Sequence, residues 1–164
     1  MQQVAQQWYI WEITRDSRWI GVVGAMAFVP MLILGPFTGS IADRVDRRKL
    51  LIVTQTSEML LAFTLSALVF LGVRSVWPVI ALALLLGVSA AFNFPAQSAF
   101  IGDLTGMGEI RKSMAFNVTM IEIGRLIGPA VAGWVVAAVG TGLAFLLNGL
   151  SFLAVIIGLT FVTA

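Results

Sequence analysis

Trp19-Ile-Gly-Val-Val-Gly-Ala-Met-Ala-Phe-Val-Pro-Met-Leu-Ile-Leu-Gly-Pro-Phe-Thr-Gly39-Ser-Ile-Ala-Asp43-Arg44-Val-Asp46-Arg47-Arg48-Lys49 decides the fold class of this chain. Its first 24 residues, Trp19 to Ala42, carry no charge. As a helix rising about 1.5 Å per residue they reach about 36 Å, enough to cross a hydrocarbon core of about 30 Å with some tilt. The residues that follow form the only dense knot of charge in the sequence. An uncharged span abutting a basic loop points to an all-α, polytopic membrane protein, in which Lys and Arg mark the cytoplasmic side.

The composition agrees along the whole length. Of 164 residues, 59% are hydrophobic and 11% charged, and the mean hydropathy is +0.98; in a soluble domain roughly a quarter of the residues are charged. Cysteine and histidine are absent, which removes disulfides, the usual zinc sites, thiol nucleophiles and histidine acid-base chemistry together. No metal or organic cofactor is implied. The net charge of +2 and pI of about 9.7 come from short loops, so they point to orientation in a lipid bilayer and not to nucleic acid.

Five spans and one partial span are expected within a single membrane domain, 1–164. The spans are about 19–42, 50–73, 75–102, 113–139 and 143–164, and the partial one is 1–13. The run from Leu50 to Val73 is interrupted by Glu58 and closes at Gly72. Ser75 to Gly102 carries no charge and opens on Trp77-Pro78, a suitable interfacial helix start. Ser113 to Ala164 is too long for one crossing, and Gly140-Thr141-Gly142 is the natural break. Met1 to Ile13 would reach only about 20 Å and contains Gln2, Gln3, Gln6 and Gln7. It has neither the basic start nor the small-residue cleavage site of a signal peptide, and reads as the outer half of a first helix whose beginning is missing. Arg44, Arg47, Arg48, Lys49, Arg111 and Lys112 fall on one side of the membrane, with Arg15, Arg18 and Arg74 on the other. That asymmetry places the first set in the cytoplasm.

The loop Gly39-x-x-x-Asp43-Arg44-x-Asp46-Arg47-Arg48 resembles the signature of the major facilitator superfamily, G-x-x-x-D-R-x-G-R-R, between its second and third helices. Asp46 stands where the superfamily prefers glycine, so a less tight turn with an extra acid is expected. The resemblance implies a conformational latch built from Gly39, Asp43, Arg44, Arg47 and Arg48, with Arg44 meeting an acid at the end of the fourth helix, here Asp103. Gly35 and Gly39, four apart, suit close approach of another backbone. The run Gly124-x-x-x-Gly128-Pro129-x-x-Ala132-Gly133 resembles the superfamily's fifth-helix motif, G-x-x-x-G-P-x-x-G-G, associated with exporters and antiporters. Gly124, Gly128 and Ala132 would form a smooth packing ridge, bent at Pro129 and continued by Gly133. Ala83 occupies the position at which many proton antiporters of the superfamily carry an arginine. The chain is most similar to enterobactin-exporter-like and macrolide-efflux-like bacterial members. The fold implied is the amino-terminal six-helix half, with the first helix truncated and the carboxy-terminal half of the same protein as the absent partner.

Four polar side chains are candidates for contact with substrate or protons. Glu122 and Arg125 lie within the expected fifth span on one arc with Asn117, where each charge costs about 2.5–3.5 kcal/mol on insertion scales. They form either a self-compensating pair that positions the helix or a site in which Arg125 holds an anionic group and Glu122 a proton or cation. Glu58, about 12 Å below the expected cytoplasmic end of the third span, could snorkel, pair or take part in transport. Asn93 and Pro95 suggest a hinge or a cap, and Asn148 an interhelical bridge. Trp8, Trp11, Trp19 and Trp77 suit an interfacial belt. The resemblance implies a proton-coupled exporter of an amphipathic small molecule, drug-like or siderophore-like, in the bacterial cytoplasmic (inner) membrane. An uptake permease or uniporter is the alternative, and a nontransporting bundle or an enzyme's membrane domain a more distant one. An enzyme is disfavoured because no cluster of acid-base or nucleophilic residues appears at one depth.

Overall fold

The computed structural model describes residues 1–161, and the side chains of all of these except 103–110. Among the described residues every regular element is helical: α1 (Gln2–Thr14), α2 (Ser17–Ala42), α3 (Arg47–Phe70) and α4 (Val76–Phe161). Two glutamines of α1, Gln2 and Gln6, are buried in the bundle, while Gln3 and Gln7 are exposed. Gln6 Nε2 donates to the Val79 carbonyl at 3.3 Å, and Asn148 Nδ2 donates to Gln2 Oε1 at 2.9 Å. Lipid tails are as apolar as leucine, so helices in a bilayer gain from close packing and from amide bridges of this kind rather than from leaving water. Two of the residues that argued against a full span thus help hold α1 in place.

Local signals fix the ends of α1 to α3. α1 stops where Arg15 enters the left-handed region at φ 52° and its N–H returns to the Trp11 carbonyl at 2.9 Å. Asp16 then caps α2 by accepting the Arg18 N–H at 2.9 Å. α3 begins at Arg47, three residues before the expected Leu50. Cations in a first turn oppose the helix dipole, which makes this basic run read as loop. The carboxylate of Asp46, accepting the Lys49 N–H at 3.1 Å, caps the helix in spite of them. At its other end α3 closes in a Schellman motif: Val73 N–H bonds to Leu68 O and Gly72 N–H to Val69 O, both at 3.0 Å, around Gly72 at φ 68°. The earlier start makes Glu58 the twelfth residue of 24, at the midpoint of α3. From there the nearest helix end is about 16 Å away, beyond the reach of a glutamate side chain.

α4 differs most from expectation. The helices expected over 75–102, 113–139 and 143–164 form one helical run of 86 residues, which would be about 129 Å long if straight. It is folded back on itself, because Val79, Ile80 and Ala83 share one buried core with Val136, Ala144 and Phe145. One reversal falls at the expected glycine: Gly140 has φ 81° and helical bonding resumes at once, so no loop separates its two sides. The loop expected between 102 and 113 is helical, and Phe92 to Ala96 also passes through Asn93 and Pro95 unbroken. Neither the hinge nor the cap expected at Asn93 is formed.

Past Gly140 the chain runs antiparallel to α3 and α1. Ser66 Oγ donates to the Gly142 carbonyl at 2.8 Å and Arg48 Nε to the Leu159 carbonyl at 2.8 Å, while Thr141 Oγ1 donates to Glu12 Oε2 at 3.3 Å. The core in between contains Ile10, Leu65, Val79, Ala83 and Phe145, and Tyr9 OH closes it by donating to the Val73 carbonyl. Trp19 and Trp77 meet edge to face with centroids 6.3 Å apart, at the starts of α2 and α4, as an interfacial aromatic pair. The outer faces are apolar: Leu32, Leu126, Trp134 and Phe161 are each more than 70% exposed. Four segments, Ser17–Ala42, Arg47–Phe70, Val76–Gly102 and Arg111–Phe161, are long and apolar enough to cross a bilayer. The molecule is a multi-pass membrane helix bundle.

Candidate functional site

Side chains from α1, α3 and three stretches of α4, 86–90, 121–129 and 148–152, line a groove of about 450 Å³. Its polar members are Gln2, Gln3, Glu58, Arg125 and Asn148, set among Leu86, Ile121, Gly124, Gly128, Pro129 and Phe152. The fold thus gathers Glu58 and Arg125, 67 positions apart in sequence, around one space. Glu122 and the half-exposed Asn117 do not line it. Glu122 instead accepts from Arg125 Nη1 at 2.7 Å one helical turn away, with side chains 55% and 68% exposed respectively.

Glu58 is held differently. Its Oε1 accepts from Asn93 Nδ2 at 3.3 Å and from Ser89 Oγ at 3.4 Å, both on α4. Ser89 was not singled out from the sequence, although Ser89 and Asn93 stand four apart and so share a helix face. Asn148 serves as the interhelical bridge expected of it, to Gln2, while also lining the groove.

A Cβ placed on Gly35, Gly39, Gly124, Gly128 or Gly133 would meet nothing within 4 Å among the described residues, so both glycine stripes lie open on the surface of the bundle. Close approach occurs at Gly87, where a Cβ would stand 2.3 Å from the Ala27 carbonyl oxygen and 3.0 Å from Pro30 Cγ. The α2–α4 crossing therefore rests on a glycine outside both motifs.

In the basic loop, Asp43 lies 3.8 Å from Arg47 and is 72% exposed. Arg47 also donates to the Ala99 carbonyl at 3.5 Å. Arg48 Nε and Nη2 donate to the carbonyls of Leu159 and Thr160 at 2.8 and 2.7 Å, a cation satisfying carbonyls late in a helix. The Arg44 side chain makes no hydrogen bond or ion pair among the described residues, and the side chain of Asp103 lies outside them. Asp46 has φ −60° and ψ 109°, open to any residue, so the turn does not need the superfamily's glycine. Accepting the Lys49 backbone N–H, aided by the Lys49 ammonium 3.5 Å away, holds the Asp46 carboxyl below its ordinary pKa. A lowered native pKa stabilises above the unfolded value and loses that contribution as pH falls through the native one. Hydrogen exchange at the Lys49 amide is therefore expected to lose protection as pH drops below the carboxylate range, and Asp46→Ala to remove that dependence. Unchanged protection in the variant would show that the cap does not hold the first turn.

Comparison with known proteins places this geometry in a family. The chain belongs to the transmembrane secretion effector family of major facilitator superfamily transporters, whose model matches residues 1–163. It is 29% identical over 157 residues to the staphyloferrin A transporter of Staphylococcus aureus (strain NCTC 8325 / PS 47), covering 94% of this chain and 40% of that protein. It is 35% identical over 117 residues to multidrug resistance protein 2 of Bacillus subtilis (strain 168), covering 71% and 28%. With macrolide efflux protein A of Streptococcus pyogenes it shares 25% identity over 130 residues, 79% and 32% of the two chains. The chain spans 40% or less of the length of these relatives. No solved structure matches it. The family is one of membrane transporters and not of enzymes.

Proposed function

We propose that this chain is the amino-terminal six-helix half of a secondary transporter that exports an amphipathic small molecule, drug-like or siderophore-like, in exchange for protons. In this reading α1 is the outer part of the first helix, α2 and α3 are the second and third, and the arms of α4 supply the remaining three. The left-handed Gly140 and the antiparallel bonds beyond it support counting the last arm separately. A second half would cover the open glycine stripes of α2 and α4, and Asp43 and Arg44 would latch against it at the cytoplasmic face of a bacterial inner membrane. Alternating access would then rock the two halves about the groove.

The observation that carries this reading is the groove, which gathers a carboxylate, a cation and three amide side chains on apolar walls. Such a surface suits a molecule with both polar and apolar faces. The names of the relatives, a staphyloferrin A transporter, a multidrug resistance protein and a macrolide efflux protein, support the same substrate class. The test is accumulation of a radiolabelled macrolide and, separately, of ethidium and a carboxylate siderophore in pump-deficient cells expressing the intact reading frame. Reduced accumulation of at least one, restored by a protonophore, is expected. Accumulation above the control would indicate uptake, and no change for any would remove the export reading.

A further inference from the structure

Glu58 stands apart from the other membrane-depth acid. Glu122 is already matched by a guanidinium at 2.7 Å. Glu58 is met by neutral donors only, an amide and a hydroxyl, both on one oxygen and both beyond 3.2 Å. Its second oxygen makes no hydrogen bond among the described residues, although the side chain lines the groove. The other charged groups on that groove are Arg125, engaged by Glu122, and the amino group of Met1. Facing Glu58 from α1 and α4 are otherwise amides, from Gln2, Gln3 and Asn148. Glu58 is thus a mid-helix carboxyl that faces the groove with no cation matched to it.

The contact with α4 contains a two-position element. The single hydroxyl proton of Ser89 has two acceptors in reach, the Thr54 carbonyl at 3.1 Å and Glu58 Oε1 at 3.4 Å. A hydroxyl donates one proton at a time. With Glu58 ionised, that proton is drawn to the carboxylate and the amide of Asn93 adds a second bond, tying the middle of α3 to α4. With Glu58 protonated, the carboxyl is a weaker acceptor, the Ser89 proton passes to Thr54, and α3 and α4 lose charge-assisted contact.

We propose that Glu58 is a proton-binding site of the transport cycle, loaded and unloaded through the groove, and that Ser89 and Asn93 transmit its charge state to the α3–α4 contact. The step is a simple exchange: one proton adds to the free carboxylate oxygen from the groove and leaves by the same oxygen when the groove faces the opposite side. The role in the cycle rests on the transporter reading, whereas titration of the carboxyl does not.

The test is infrared difference spectroscopy of the intact purified protein during a pH titration without substrate. Among the carboxylic-acid C=O bands, one is expected to be shared by wild type and Glu122→Gln, lost in Glu58→Gln, and moved in frequency in Ser89→Ala and in Glu58→Asp, which keeps a carboxyl should the glutamine variant fold poorly. The second measurement uses proteoliposomes loaded with ethidium. Glu58→Gln is expected to lose at least tenfold in transport driven by a pH gradient, with whatever ethidium movement remains independent of the gradient. A band that persists in Glu58→Gln, or one unmoved by both Ser89→Ala and Glu58→Asp, overturns the site. A band lost together with pH-driven transport unchanged overturns its place in the cycle. Loss of exchange together with driven transport would instead assign Glu58 to a cationic substrate group. Failure of every variant and of wild type to move ethidium, with the band behaving as expected, counts against the transport reading and not against the titrating site.

Discussion

Arg125→Ala is expected to lower transport by the intact protein by about two orders of magnitude. The substitution leaves Glu122 with no guanidinium at 2.7 Å in a segment otherwise long and apolar enough to cross the membrane. An unmatched charge at the centre of a bilayer costs about 2.5–3.5 kcal/mol, and each 1.4 kcal/mol is about tenfold. The same loss would follow from a purely positional pair, so a double variant separates the two roles. Glu122→Gln with Arg125→Gln carries no unmatched charge and is expected to insert and purify as wild type does. If Arg125 holds an anionic group of the substrate in the groove, the double variant still fails to transport. Recovery of transport in the double variant would reduce the pair to a device for positioning the helix.

Gly140→Val is expected to destabilise the bundle by about 1–3 kcal/mol, the usual cost of a residue forced into a sparsely populated backbone region, and β-branched residues tolerate φ above zero least. The strain has no easy release. Thr141 is 4% exposed and hydrogen-bonded to Glu12. The Gly142 carbonyl accepts from Ser66 at 2.8 Å, and a Cβ at Gly142 would stand 3.2 Å from the Phe70 ring and from Val69. The reversal is thus pinned on its far side by α1 and α3. Gly158→Ala, at a helical glycine with nothing within 4 Å of a Cβ, is the control. A lower thermal unfolding midpoint in detergent for Gly140→Val alone is the expected outcome; equal midpoints would show that the reversal does not depend on the left-handed residue.

The membrane class, the glycine at the Gly140 reversal and the family were all legible in the sequence, because each depends on local composition or fixed spacing. The start of α3 was not, since a capping aspartate overrode the dipole cost of three cations behind it. That shift of three residues makes Glu58 the twelfth of the 24 residues of α3. The packing of α1 was not legible either, because the partners of Gln2 and Gln6 are Asn148 and Val79, far away in sequence. Glycine spacing showed where a backbone could approach but not whether one does, so the motif glycines are open while Gly87 carries the crossing. The contact between Ser89 and Glu58 joins two helices 31 positions apart, and no periodicity within either helix could have paired them.

Exchange of an amphipathic molecule for protons is tested most directly by transport in the intact protein, purified and reconstituted in liposomes, with an imposed pH gradient as the sole driving force. Movement of a probe such as ethidium against its concentration gradient with opposite movement of protons is expected, both abolished when the gradient is collapsed. Accumulation that is indifferent to the pH gradient, or a bilayer that stays impermeable to macrolide, ethidium and siderophore probes alike, would contradict it.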